Sequence, residues 1–415
     1  MGLLGWNELA PGNVTFTGTA VNEGYASGVT GDDDWSLFVH PDDPKWMVNS
    51  SGVRNRDNWV ECEVQPPEHF AGLNGQSEAT EERFLQPFLN KQVTVGGTWC
   101  EDLSHDDKTE LHSLDFVLQD PPITAGIAKR AQFIVTSDGA TRSPMRPKLP
   151  PHVRSNRVRD FQLAFPPAPP GVSDADWYQW SFVEEVDACR TKSFSVVTNG
   201  GQRGLQCHVE SGISDENKGF YAATVELGQP AVFVSQSVPA SMPVGGRASV
   251  TITMRNTSVE SWVNVPFFPL SQFTYNLGSQ DPQDNTVWGI GRVPIPHAVA
   301  PGASVAFTFT ITAPTTPGSY PFQWRMVHER IRWFGMYTPA VQIQVTPIQV
   351  DCAALGRQFT AAQDQVDQLT AELKGLPTGR EGVPERMAIM RKLAPLQAEV
   401  KQLRTEMTEG GCSIP

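Results

Sequence analysis

Residues 300–335 read APGASVAFTFTITAPTTPGSYPFQWRMVHERIRWFG, and this stretch decides the fold. Apolar and polar residues alternate through Val305–Thr312 and again through Tyr320–Met326, the period of a strand with one buried face. Pro-Gly pairs at 301–302 and 317–318 supply the turns that bring such strands together. Upstream, RASVTITMRNTSVESW at 247–262 alternates over Val250–Met254, and LGSQDPQDNTVWGIGRVPIP follows at 277–296. Short alternating strands with regular turns are what an immunoglobulin-like sandwich requires.

The MRNT…W element, the LGSQ…N…W-G segment, the APG before an alternating strand, and the PG-x-Y-x-F-x-W-R-M run ending in W-F-G form a spaced set. With them, residues 235–347 resemble the four-tryptophan immunoglobulin-like domain first described in the autophagy receptor next to BRCA1, in its bacterial form. The matching tryptophans are Trp262, Trp288, Trp324 and Trp333, and Asn256 matches the Asn-Thr turn. The resemblance covers about a quarter of the chain. It implies a sandwich used for protein–protein contacts, with no catalytic residues. The chain offers no ubiquitin-binding module, so the autophagy role is not carried over. Trp262 and Trp324 are expected in the core. Asn285 and Trp288, in a Gly/Asn loop, and the pair Trp333–Phe334 are the candidate binding surface, since exposed aromatics are common hot spots; the competing reading has all four tryptophans structural and leaves recognition to the loops.

At 415 residues the chain is too long for one core and should divide into two to four domains. With 39% hydrophobic and 19% charged residues, 35 Gly and 34 Pro, the composition suits many short strands. The expected fold is mainly β: three sandwich or barrel domains in series, the third immunoglobulin-like, followed by an antiparallel α-helical hairpin. The expected boundaries are an N-terminal tail at 1–12, a small barrel or sandwich at 13–118, a second β domain at 119–230, the four-tryptophan domain at 235–347 and the hairpin at 350–412.

In the first domain, strand-like runs occupy Asn13–Thr19, Trp35–His40, Trp59–Val64 and Lys91–Trp99. In the second they occupy Ala131–Thr136, Arg159–Phe165, Gln179–Val186, Ser193–Thr198, Leu205–Val209 and Phe220–Leu227. Asn199-Gly200-Gly201 marks a hairpin between two of these runs.

The first domain ends in GGTWCEDLSHDDKTELHSL, which concentrates His105, Asp106, Asp107, Glu110 and His112. Imidazole and carboxylate at this density could ligate a divalent metal, with His105, Asp107, Glu110 and His112 as the candidates. Glu110 and His112 share one face of a strand, and a DDK turn could fold His105 back onto them. With GDDDWSLFV and WVECEV upstream, this region resembles an uncharacterised bacterial small β-barrel domain ending in a Trp-x-x-Asp…His…Glu-Ile-His-Pro run. Here Leu111 replaces Ile and Ser113 replaces Pro. A polar turn hydrogen-bonded within the barrel is the competing reading, and no convincing nucleophilic Ser is nearby.

Six cysteines fall in three pairs: Cys62 with Cys100, Cys189 with Cys207, and Cys352 with Cys412. Local disulfides in an oxidising compartment are one reading, and buried free thiols the other. Between 142 and 159, RSPMRPKLPPHVRSNRVR gathers Arg142, Arg146, Lys148, Arg154, Arg157 and Arg159. Arg146, Lys148 and Arg154 are candidate contacts to an acidic neighbour. A net charge of −13 and the lack of interleaved aromatics argue against nucleic acid.

In the C-terminal region apolar residues step by 4,3,4,3,4 along Leu355, Phe359, Ala362, Val366, Leu369 and Leu373. Ile389, Leu393, Leu396, Val400, Leu403 and Met407 repeat the pattern. Two matched seams predict two coiled-coil helices joined through GLPTGREGVPER, with Pro395 bending the second. Folding near residue 379 would set Cys352 beside Cys412, the preferred disulfide.

No run of about 18 apolar residues occurs, so no membrane span is expected. MGLLGWNELAPGN lacks a basic, then apolar, export signal. The expectation is a non-enzymatic interaction or structural protein without a cofactor. It would act in an extracellular, cell-surface or particle assembly, with protein partners or copies of itself; the alternative location is cytoplasmic. A metal-dependent hydrolase or nuclease and a carbohydrate-binding array are the competing functions.

Overall fold

The structure is a computed structural model, and it describes residues 6–25, 35–64, 83–103, 107–137, 158–188, 191–210, 219–266, 269, 272–347 and 351–415. It is mainly β, with several sheets and C-terminal helices.

Five strands build the first unit: β1 Trp6–Tyr25, β2 Trp35–Pro41, β3 Val60–Val64, β4 Gln92–Asp102 and β5 Lys108–Gln119. β1 is long and bent. Its first part pairs with β4 and its last part with β2, with irregularities after Glu8 and after Ala20. Gly18 sits where both partners meet, and a Cβ there would lie 2.4 Å from the His40 carbonyl oxygen. A parallel pairing of β3 with β5, Glu61 opposite Glu110, closes the ring β1-β2-β3-β5-β4. This order, antiparallel except for one parallel closure, is a five-stranded Greek-key barrel of the OB type. Trp35, Leu37, Val39, Cys62, Val95 and Leu111 fill its interior. Residues 6–12, expected as a tail, are part of β1.

β5 does not end with the barrel. Its last residues, Phe116–Gln119, pair with β6 Lys129–Ser137. The sheet therefore continues through the expected 118/119 boundary into the second unit. There it adds β11 Gly219–Leu227 and β8 Trp180–Ala188. β7 Val158–Ala164, β9 Thr191–Asn199 and β10 Gln202–Glu210 form a separate three-stranded sheet. Phe133, Val135, Leu163, Leu205, Cys207 and Tyr221 make the core between them. The Asn199-Gly200-Gly201 turn joins β9 to β10, both of its glycines at positive φ.

The third unit carries β12 Ala231–Ser237, β13 Ser241–Pro243, β14 Arg247–Asn256, β15 Tyr275–Gln280, β16 Arg292–Pro294, β17 Ser304–Thr312, β18 Gly318–His328, β19 Arg332–Phe334 and β20 Val341–Thr346. A three-stranded sheet, β12-β14-β17, accompanies a larger one in the order β13-β20-β18-β15-β16, with β19 on β18. Alternation in β17 is strict: Val305, Phe307, Phe309 and Ile311 are buried and the residues between them exposed. These four join Trp262, Trp288, Trp324, Phe322 and Phe334 in one core.

Only Gly228, Gln229 and Pro230 separate β11 from β12. Trp177, fully buried, packs with Ala128 and Val232 across the junction, and its Nε1 donates to the Pro166 carbonyl at 2.7 Å. The Ala128 amide donates to the Thr257 carbonyl at 2.6 Å.

Two helices, Cys352–Gly375 and Val383–Glu409, complete the chain. The Asp351 side chain caps the first by accepting from the Ala354 amide at 2.9 Å. Pro384 stands in the first turn of the second, where its missing N–H costs nothing. The two seams face each other antiparallel: Phe359 and Ala362 pack with Leu403 and Met407, and Val366 packs with Ile389 and Leu393. The second helix continues through Pro395. Cys352 and Cys412 are bonded, closing the open end.

The expected Cys62–Cys100 disulfide is absent. Cys62 and Cys100 are free buried thiols, because Cys62 points into the barrel while Cys100, next to the inward Trp99, lies on the opposite face of its strand. Cys207 is also free, inside the second core; Cys189 lies outside the described residues.

Candidate functional site

Barrel closure determines what meets at the first candidate site. On β5, Glu110 and His112 share the face opposite to the inward Leu111. The parallel register, Glu61 opposite Glu110, carries Glu63 of β3 to the level of His112. His112 Nε2 lies 3.0 Å from a Glu63 carboxylate oxygen. Ligand atoms of Glu63, Glu110 and His112 all fall within 4.8 Å of one another. Glu110 and His112 are buried, with 0% and 1% exposure.

The surroundings are acidic. Burial, then the charges of Glu63 and Asp102, push the Glu110 carboxyl well above its usual range. Burial acts on Glu63 in the same direction, but the His112 imidazole and Lys108 outweigh it and bring its carboxyl below the ordinary value. Lys108 is paired with Glu61. Burial also raises the neighbouring thiols, Cys100 to about 12, so neither Cys62 nor Cys100 is an activated nucleophile.

The expected ligand set is thereby corrected. Asp107 is exposed on a turn at positive φ and does not join Glu110 and His112. His105 lies outside the described residues. Glu63, from WVECEV, takes the third place.

The second candidate site is the junction between the second and third units. Buried Glu226 of β11 accepts Arg332 of β19 at 2.6 Å and Arg130 of β6 at 3.3 Å, and Arg130 reaches Glu260 at 2.6 Å. A cavity of about 140 Å³ beside this network is walled by Trp262, Tyr275, His328 and Phe334. His328 stacks on Tyr275 with ring centroids 4.0 Å apart, and burial lowers its pKa. A neighbouring cavity of about 230 Å³ shares Pro230, Arg332 and Phe334 with the first and adds Trp180, Arg325 and Trp333. Among the described residues its lining contains two guanidinium groups and no carboxylate. Arg325 donates to the Gly335 carbonyl at 2.9 Å and to the Tyr337 hydroxyl at 3.1 Å, and lies 4.5 Å over the Tyr337 ring. Gly335, at φ +75°, lets the chain pass Ala231, whose Cβ, carbonyl oxygen and Cα an added Cβ would meet at 2.4, 2.7 and 3.0 Å.

Of the expected aromatic surface, Trp288 and Phe334 are core residues instead. Trp288 is 2% exposed, lies between Tyr320 and Phe322, and donates Nε1 to the Pro321 carbonyl at 2.9 Å. The Asn285 amide is spent within its own loop, donating to the Gln280 and Pro282 carbonyls while its oxygen accepts from Val287. Trp333 is half-buried, with Arg292 4.7 Å over its ring, and lines the larger cavity. Arg146, Lys148 and Arg154 lie outside the described residues; Arg159 folds back on Asp115 at 2.7 Å.

No family model matches the chain, and no curated protein matches it. Among solved structures, a protein of Corynebacterium diphtheriae described as membrane-anchored is similar at 10% identity and a TM-score of 0.17. The similarity covers 56% of this chain and 54% of that one, so the chain spans about half the length of the structure it matches. No described helix is long and apolar enough to cross a membrane.

Proposed function

We propose that this protein is a non-enzymatic interaction protein of an extracellular, surface or particle assembly. Its β units present recognition surfaces, and its terminal hairpin docks it to another copy or to a partner. The observation that carries the reading is the hairpin itself. Among the described residues, its two apolar clusters contain hairpin residues alone. Val383, Met387 and Met390, spaced by four and three residues on the second helix, are 47%, 51% and 57% exposed. An apolar stripe of this spacing is the kind of face that helix-in-groove or helix-on-helix contacts use. The Cys352–Cys412 bond supports an oxidising setting, where such bonds persist.

Sedimentation velocity on the full chain and on a chain ending at residue 347 tests this. Association that strengthens with concentration and disappears on truncation, or on Met387→Glu with Met390→Glu, is the expected result. If the hairpin face serves another protein, cross-linking in the native particle should join it to that protein. A full chain that stays monomeric at high concentration, and whose hairpin cross-links to nothing, would refute the proposal.

A second reading, saccharide binding, is favoured by the larger junction cavity. There the indoles of Trp180 and Trp333 stand beside Arg325, Gln179 and Gln229. Aromatic faces with guanidinium and amide donors suit a pyranose ring. A glycan array with wild-type protein and Trp180→Ala separates it from the first reading.

A further inference from the structure

We infer that the N-terminal barrel holds a divalent cation on Glu63, Glu110 and His112. The donor chemistry is the first reason: one imidazole nitrogen and two carboxylate oxygens form a mixed set that suits zinc or manganese.

Distance is the second. Two bonds of about 2.0–2.2 Å to one ion set neighbouring ligand atoms about 3.0–3.4 Å apart, depending on the coordination angle. His112 Nε2 and the Glu63 oxygen are already 3.0 Å apart, and Glu110 completes a triangle no wider than 4.8 Å. An ion entering it takes the place of the hydrogen bond between His112 and Glu63.

Rigidity is the third. Glu110 and His112 are two residues apart on β5, and Glu63 is fixed beside them by the parallel pairing that closes the barrel. Such a set is assembled by folding and costs little ordering when the ion binds. Asp102, Glu61 and Glu63 outnumber the nearby Lys108 and make the local field negative, which favours a cation over a neutral or anionic ligand. Near-complete burial of Glu110 and His112 points to a structural ion that ties β3 to β5.

Cobalt is the probe. The full chain, stripped with chelator, is titrated with Co²⁺ and followed by visible d–d absorption, and retained metal is counted after dialysis against Co²⁺, Zn²⁺ or Mn²⁺. The expected result is one equivalent per chain. Affinity should fall by more than about a hundredfold in Glu63→Gln and in His112→Asn, beyond what loss of an outer-shell partner causes. Circular dichroism establishes that each variant is folded, and the wild-type titration decides alone where one is not. A folded wild type that retains none of the three metals overturns the proposal. So does equal binding in a folded Glu63→Gln variant, or an intense thiolate-to-cobalt band, which would assign the ion to Cys100 or Cys62.

Discussion

Glu226 of the second unit and Arg332 of the third are 2.6 Å apart, with the carboxylate side chain only 1% exposed. Arg130 approaches the other oxygen of the same carboxylate, so one buried acid holds cations from both sides of the junction. Removing it leaves Arg332 without its buried acid and Arg130 with Glu260 alone. Glu226→Ala should therefore cost about 3–5 kcal/mol, read as a lower urea midpoint. Because the acid couples two units, the variant should also separate their unfolding into two transitions. A single transition at the wild-type midpoint would show that the junction contributes nothing.

Reduction should act on the hairpin alone. The Cys352–Cys412 bond closes a loop of 60 residues, which in the chain-entropy account is worth about 4 kcal/mol. Two helices packed only on each other draw their stability from that one seam. Reductant should remove much of the helical ellipticity at moderate temperature. The near-ultraviolet spectrum should persist, because every tryptophan lies in the β units.

Trp288 and Trp333 should respond differently to truncation. Trp288 fills the third core and its N–H is satisfied by the Pro321 carbonyl, so Trp288→Ala should cost about 3–5 kcal/mol. Trp333 is half-buried at the cavity wall. Trp333→Ala should cost clearly less and should change ligand or partner contacts instead. Denaturant titration of both variants checks the ranking, and equal losses would place Trp333 in the core as well.

How far the sequence discloses these features depends on whether they are local. The strands of the second unit and of β17 are legible because alternation is a short-range signal, and each expected run matches an observed strand except that Phe165 and Gln179 fall one residue outside. Both hairpin seams are legible for the same reason, and with them Cys352–Cys412. Glu63 is not legible as a partner of His112, since only the parallel closure of β3 on β5 unites them. The single hint is WVECEV, where Glu61 and Glu63 alternate with buried Val60 and Cys62. The Cys62–Cys100 pairing fails because proximity in a barrel does not fix which face a side chain takes. Of the two readings of Trp288, the structural one holds: a Gly/Asn loop looks exposed, yet its chain folds the indole inward.

His328 should make the third unit acid-sensitive. Burial is the largest influence on it and lowers its pKa below the ordinary value of 6.5, although Glu260 and Glu329 pull the other way. An imidazole whose folded pKa is depressed binds fewer protons when folded than when unfolded. Its contribution to stability is therefore present above the unfolded pKa and is lost as pH falls through the folded one. Stability of the third unit should decline as pH drops below about 6.5, in the window set by that unfolded value. The stack on Tyr275 places the charge that forms against the wall of the smaller cavity, so the loss should appear there first. His328→Asn should flatten this part of the profile while leaving the hairpin's response unchanged. Thermal unfolding of wild type and variant from pH 7.5 to 5 reads the difference, and identical slopes would exclude His328 as the responsible group.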